Sequence, residues 1–233
     1  MATAQLNLNH IRLLIFDLDG TLIDSKKDLA LSVNAMLEQM GLELLPHEMI
    51  ATYVGHGVEN LVRRALREDA TEENVAKGLA IFREHYWQHM LDNTDTYPGV
   101  REALEKLHGH SMAVLTNKPV KHSQEILRSL GVAHYFAFVY GGNSFVEKKP
   151  DPVGVVKLMT DLRAVPAETL MIGDSDTDVL TGRNAGVRTC GVTYGFGAHS
   201  LKNAEPDFYI HDLRELPALL NGSGKQEAGG GEQ

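Results

Sequence analysis

Polar and apolar positions change period along the chain. Residues 12–17 carry a short apolar run, Leu-Leu-Ile-Phe, that ends in Asp-Leu-Asp-Gly. A run this short and this uniformly apolar predicts a strand buried on both faces. Similar runs recur at 111–116, 135–140, 170–173 and 187–192, with a weaker one at 207–210. Between them the apolar residues return at helical spacing, over 100–108, 120–130, 153–162 and 177–185. Gly131 and Gly186 follow two of these helices, where glycine suits the position just past a helix end. Pro152 precedes another, where its fixed φ suits the first turn. Strands alternating with helices predict an α/β fold, a Rossmann-like parallel sheet with helices on both faces.

Residues 24–91 break the alternation and show no strand. Leu29, Val33, Met36, Leu37 and Met40 follow helical spacing up to Gly41, Val58, Leu61, Val62, Ala65 and Leu66 form a second stripe, and 71–91 reads as one longer helix. An insert of this size is a small domain rather than a loop. The expected organisation is an α/β core from 11–23 and 92–220, with a helical cap at 24–91 inserted after the first strand. The Gly-rich polar tail, 221–233, is expected to be disordered.

Composition narrows the functional classes. The 233 residues include 22 Lys and Arg against 31 Asp and Glu, a formal charge of −9. That balance disfavours nucleic acid as a partner, because backbone binding needs clustered cations. One cysteine, Cys190, excludes an internal disulfide and a thiolate metal cluster within the chain, and its place in an apolar strand predicts a buried thiol. No apolar run approaches the ~18–20 residues that cross a bilayer, so no membrane partner is expected. The opening MATAQLNLNH has neither the positive start nor the apolar stretch of a secretory signal, and a cytoplasmic location is expected. The pattern sets no oligomeric state.

Four segments fall at or just beyond the C-terminal ends of predicted strands: Asp17-Leu-Asp19-Gly20-Thr-Leu, Thr116-Asn117-Lys-Pro, Lys148-Lys149-Pro-Asp-Pro and Gly173-Asp174-Ser-Asp-Thr-Asp178. In open parallel sheets that edge is where ligands bind. Asp174, Asp176 and Asp178 also match the start of a calcium loop. That loop needs Gly at its sixth position and Glu at its twelfth, where this chain has Val179 and Ala185.

The four segments in this order resemble the haloacid dehalogenase superfamily of phosphotransferases, over about residues 11–220. Asp17-x-Asp19-Gly-Thr matches its nucleophile motif, Thr116 its second motif, Lys149 its third, and Asp174 with Asp178 its fourth. Within the superfamily, Tyr53–Leu66, Thr116–Pro119, Gly141-Gly142 and 191–195 are similar to the phosphoglycolate phosphatases. The resemblance implies a Mg2+-dependent phosphatase acting on a small phosphorylated metabolite, with 2-phosphoglycolate as the expected substrate. It implies metal ligation by Asp17, the Asp19 backbone carbonyl and Asp174, with Asp178 one step behind them. Lys149 would neutralise phosphate charge and support Asp17, while Thr116 and the Asn117 amide would hydrogen-bond the phosphoryl oxygens, and Gly20 would admit the backbone close to the phosphate. A carboxylate nucleophile splits the reaction through an aspartyl-phosphate, and Asp17 is the candidate. Asp19 is placed to serve as acid and then base. Four carboxylates beside a phosphate require a cation, and Mg2+ suits carboxylates, phosphate and water.

The insert is expected to supply specificity as a lid. Its candidate substrate-binding residues are His56, in the loop between Gly55 and Gly57, and Arg63 and Arg64 on the next helix, since guanidinium suits a carboxylate. His85 and His89 stand at i, i+4 without an evident third ligand, and packing or surface roles are expected of them. A sugar-phosphate mutase or a pyrophosphatase could use the same Asp17 and Asp19, and a non-catalytic metabolite-binding module is the reading from another class.

Overall fold

The computed structural model describes residues 8–222. Of the tail expected to be disordered, Asn221 and Gly222 are therefore placed, Asn221 closing the last helix, and 223–233 lie outside the described residues. Strand β1 (Leu13–Phe16) leads through a two-residue strand, β2 (Ile23–Asp24), into four helices: α1 (Lys26–Gln39), α2 (His47–Ala51), α3 (Val58–Leu66) and α4 (Glu72–His89). A second two-residue strand, β3 (Asp95–Thr96), restores the alternation with α5 (Val100–Lys106), β4 (Ser111–Leu115), α6 (Val120–Ser129) and β5 (Phe138–Tyr140). The chain continues through α7 (Val153–Asp161), β6 (Thr169–Gly173), α8 (Asp176–Asn184), β7 (Arg188–Val192), β8 (Phe208–Ile210) and α9 (Leu216–Leu220).

Six strands form one parallel sheet in the order β5-β4-β1-β6-β7-β8, the expected α/β architecture. β1 is central, and its four side chains have no exposed surface. They alternate between the two faces. Leu14 and Phe16 join Met112, Val114, Leu170 and Ile172 on one face, while Leu13 and Ile15 join Leu115, Met171 and the α7 residues Val155 and Leu158 on the other. Both faces being covered explains why the strand has no polar alternation, and each such side chain contributes about 1.5–3 kcal/mol by leaving water.

The strand expected over 135–140 is shorter than its apolar run. Ala133–Tyr135 forms a single 3-10 turn, Phe136 packs edge-on against Phe16, and pairing with β4 starts at Phe138. Thr116 lies just beyond β4, at the start of the loop. The five-residue helices α2 and α9 give no legible periodicity, being under two turns long.

Helices α1 to α4 pack on one another: α1 contacts the other three, and α3 lies on α4. Thr71 caps α4, its side chain accepting from Asn74 N, so the helix expected over 71–91 is the observed Glu72–His89. The crossings into and out of this bundle lie side by side, Ile23 opposite Thr96 and Asp24 opposite Asp95. Asp24 thus belongs to a strand pair, which corrects the strand-free reading of 24–91 at its first residue. Asp28, 1% exposed, pins the crossings: its carboxylate accepts from Asn93 N and Nδ2 and from Thr94 N and Oγ1 at 2.7–2.9 Å. Among the described residues no helix is long and apolar enough to cross a membrane.

Candidate active site

After β1 the sheet grows outward in both directions, to β4 and β5 on one side and to β6, β7 and β8 on the other. The reversal makes a crevice at the C-terminal ends of the central strands, the usual ligand position in such sheets. Asp17 follows β1, Thr116 and Asn117 follow β4, Lys149 comes from the loop after β5, and Asp174 follows β6. All of these, with Asp178 on α8, are buried.

Asp17, Asp174 and Asp178 each bring one carboxylate oxygen within 4.8 Å of the others. Among the described residues this is the one cluster of three His, Cys, Asp or Glu ligand atoms close enough to share an ion. Lys149 Nζ lies 2.6 Å from Asp178 Oδ1 in an aligned hydrogen bond, and 2.8 Å from Asp17 Oδ1 as an ion pair without hydrogen-bond alignment. The other Asp178 oxygen accepts from Ser175 N and Oγ, closing the capping box that starts α8. Asp178 is therefore engaged on both oxygens, by Lys149 and by its own helix start.

Burial, and then the charge of Asp178, push the Asp17 carboxyl up to about 7 against the pull of Lys149. Asp174 is raised too, by burial first and then by Asp178 and Asp17, although Gly197 N donates to it at 2.7 Å. Burial would lower the Lys149 pKa, but Asp17 and Asp178 outweigh it and hold the ammonium charged. Fully ionised, three carboxylates and one ammonium would leave two surplus negative charges in a buried space, which is why Asp17 and Asp174 are pushed up. Such charges are not tolerated without compensation, and one divalent cation supplies it. The donors are all oxygen, which fits a hard ion such as Mg2+. The backbone is also shaped around Asp174. A Cβ on Gly20 (φ +86°) would fall 2.0 Å from Asp174 Oδ2, and one on Gly195 2.3 Å from Asp174 Cβ.

Asp19 is held separately. Its carboxylate accepts from Ser25 Oγ at 2.5 Å and from Lys118 Nζ at 2.9 and 3.1 Å. Burial would lower the Lys118 pKa, but the charge of Asp19 raises it. Ser25 stands at the start of α1, so Asp19 is tied to the root of the helical insert. Asn117 Oδ1 accepts from Lys149 N, and its Nδ2 donates to Lys149 O at 3.1 Å and to Gly55 O at 2.8 Å. One side chain thus holds the Lys149 backbone and meets the loop of the insert. His56, exposed in that loop, places Nδ1 3.4 Å from Thr177 Oγ1 at the start of α8. Thr116 Oγ1 accepts from Lys118 N.

The structure does not bring Arg63 and Arg64 to the crevice. Arg63 pairs with Glu72 at 2.8 Å and Glu59 at 3.2 Å, while Arg64 donates to Thr52 O and lies over the Tyr53 ring. Leu61 lines the pocket, and Arg63, two positions on, is turned about 200° around the helix. The arginine that lines the pocket is Arg83 of α4, with Tyr86 of the same helix and His122 of α6. Lys118, Arg83, Tyr86 and His122 carry no motif by spacing. Lys118 falls within the Thr116-Asn-Lys-Pro segment, where only Thr116 and Asn117 were candidates. The rings of His85 and His89 lie 4.4 Å apart, their Nδ1 atoms bonded to Ser32 Oγ and Asp92 Oδ2. Cys190 is buried in β7.

The family model for haloacid dehalogenase-like hydrolases matches residues 14–192. The chain belongs to that family. It is 41% identical over 215 residues to the phosphoglycolate phosphatase of Vibrio parahaemolyticus, covering 88% of this chain and 94% of that one. It is 38% identical to the phosphoglycolate phosphatase of Neisseria meningitidis, covering 90% and 93%. A crystal structure described as a predicted phosphoglycolate phosphatase from Haemophilus somnus is similar at a TM-score of 0.84 and 33% identity, covering 89% of this chain and 96% of that one.

Proposed function

We propose that this phosphatase depends on Mg2+ and hydrolyses 2-phosphoglycolate to glycolate and phosphate through an aspartyl-phosphate on Asp17. The observation that carries the reading is the pair Asp17 and Asp19: two carboxylates two residues apart, each with its own lysine. Relatives named phosphoglycolate phosphatase over nearly the whole chain support 2-phosphoglycolate as the substrate. Asp17, the Asp19 backbone carbonyl and Asp174 would hold the Mg2+, which when bound neutralises charge on the carboxylates and the phosphoryl oxygens.

An Asp17 carboxylate oxygen attacks phosphorus, and the bond from phosphorus to the glycolate oxygen breaks. Asp19 gives its proton to that departing oxygen, then accepts a proton from the water that attacks the acyl phosphate. Inorganic phosphate leaves and Asp17 is restored. Lys149 keeps Asp17 in place and offsets charge on the phosphoryl group, and Thr116 and the Asn117 amide hydrogen-bond its oxygens. Residues 24–91 act as the cap, and the contacts of Asn117 with Gly55 and of His56 with Thr177 join its loop to the sheet edge.

The test is turnover of a phosphoester panel by the purified protein with and without Mg2+: 2-phosphoglycolate, glucose phosphates, nucleotides and pyrophosphate. Highest kcat/KM on 2-phosphoglycolate, with free phosphate released, is expected. Faster turnover of pyrophosphate, or passage of phosphate to a sugar rather than to water, would overturn the assignment.

A further inference from the structure

The pocket that Asp17 and Asp19 line has another end, formed by side chains of the helical insert and α6. Leu29, Val54, Val58, Leu61 and Phe82 make it apolar, and three polar groups border it: the Arg83 guanidinium, the Tyr86 hydroxyl and the His122 imidazole. The Tyr86 and His122 rings stack, 5.9 Å apart at 22°. Tyr86 Oη, beside the Lys118 ammonium, and His122 Nδ1 are both shielded from solvent, and neither has an aligned hydrogen-bond partner among the described residues. Buried polar atoms are nearly always bonded, so two unpaired ones on one pocket wall point to a ligand that completes them.

The charges at this end point the same way. Lys118 is engaged by Asp19, and Arg63 by Glu59 and Glu72, whereas Arg83 makes no hydrogen bond or ion pair among the described residues. His122 is held neutral, its pKa pushed down to about 4 by burial and then by Lys118, Lys121 and Arg83. Three cations therefore set a positive potential that Asp19, paired with Lys118, offsets only in part. The pocket volume of about 60 Å3 admits roughly four to six water-sized groups, on the scale of a two-carbon hydroxy acid.

We propose that Arg83 is the specificity-determining residue that binds the substrate's carboxylate, with the Tyr86 hydroxyl and His122 Nδ1 as its neutral hydrogen-bonding companions. The proposal rests on the 2-phosphoglycolate reading and adds to it the group that distinguishes this ester from neutral ones. A guanidinium holds a carboxylate by two parallel hydrogen bonds, and the apolar wall strengthens them by excluding water.

The experiment compares the unaltered protein with Arg83→Gln, Arg83→Lys and Tyr86→Phe on 2-phosphoglycolate and on 2-hydroxyethyl phosphate, which carries an alcohol in place of the carboxylate. The quantity read is the ratio of the two kcat/KM values, with thermal midpoints recorded for each variant. Arg83→Gln is expected to lower the ratio about ten- to hundredfold, chiefly through KM for 2-phosphoglycolate. Arg83→Lys should recover part of it and Tyr86→Phe should lose less. An unchanged ratio, or equal losses on both esters, overturns the role of Arg83 while leaving the substrate reading intact. Absence of any preference for the carboxylate-bearing ester in the unaltered protein overturns both, and is seen before any substitution is made.

Discussion

At the sheet edge the two buried lysines each stand against a carboxylate: Lys149 between Asp17 and Asp178, Lys118 against Asp19. Under the insert, along the same pocket, Arg83, Tyr86 Oη and His122 Nδ1 make no aligned hydrogen bond among the described residues. The difference reflects what each end must do. Buried charges that act on the reacting atoms must be held in position before substrate arrives, so the fold supplies their counter-charges. Groups that recognise a substrate must remain unsatisfied until it binds, or recognition would have to break a protein contact first. The net surplus also has opposite sign at the two ends, negative where a cation is needed and positive where an anion is expected.

The largest expected effect lies at the first end. Asp17→Asn should lower turnover by about 10^4-fold or more while the far-UV spectrum and thermal midpoint stay native, and retained activity would remove Asp17 as nucleophile. Chelation of divalent ions should abolish turnover, and added Mg2+ should restore it and raise the thermal midpoint. A midpoint indifferent to Mg2+ would contradict the surplus-charge account of Asp17, Asp174 and Asp178. Next comes Lys149→Met, which leaves the Asp17 and Asp178 charges facing each other unpaired. A loss of about 3–5 kcal/mol is expected by urea unfolding without metal, whereas Arg83→Gln should fall within about 0.5 kcal/mol of the unaltered protein. Similar losses for the two would erase the contrast between a counter-charged end and an open one.

The smallest effect is a pH dependence at His122. Its folded pKa, about 4, lies below its unfolded value of about 6.5, so the unfolded chain binds more protons between the two. The His122 contribution is therefore complete above about pH 6.5 and is lost as pH falls towards 4. The ring is only half-buried, so solvent screening reduces the effect to about 1 kcal/mol. Thermal midpoints of the unaltered protein and of His122→Phe should diverge less at pH 4.5 than at pH 7. Parallel curves would show that His122 titrates freely.

Much of the candidate site was legible in the chain because three of its residues sit directly after buried apolar strands. Asp17, Thr116 and Asp174 follow β1, β4 and β6, whose uniform apolar runs are visible without a structure. Lys149 and Asp178 were legible through the family motifs and not through periodicity. The positions of Lys118 and Arg83 at the pocket were not legible, for different reasons. Lys118 pairs with Asp19, 99 positions away, and no local pattern signals a partner at that distance. Arg83 stands one residue from buried Phe82 and is itself exposed, and only the packing of α4 on α1 and α3 brings it to the rim of the pocket. The choice of Arg63 and Arg64 failed for the same reason in reverse: they follow the conspicuous glycine loop, but Glu59 and Glu72 engage Arg63 on the outer face.

The sequence by itself determined the α/β alternation, the helical insert and the acidic motifs at the strand ends. Those features depend on local periodicity and on residue chemistry, which neighbours along the chain fully specify. Only the tertiary structure decided that three carboxylates share one ammonium at the sheet edge. It alone decided that Asp28 ties the crossings of the insert together, and that Arg83 rather than Arg63 or Arg64 reaches the pocket. Charge balance and helix rotation depend on which surfaces meet, and distant segments set that only once the core has packed.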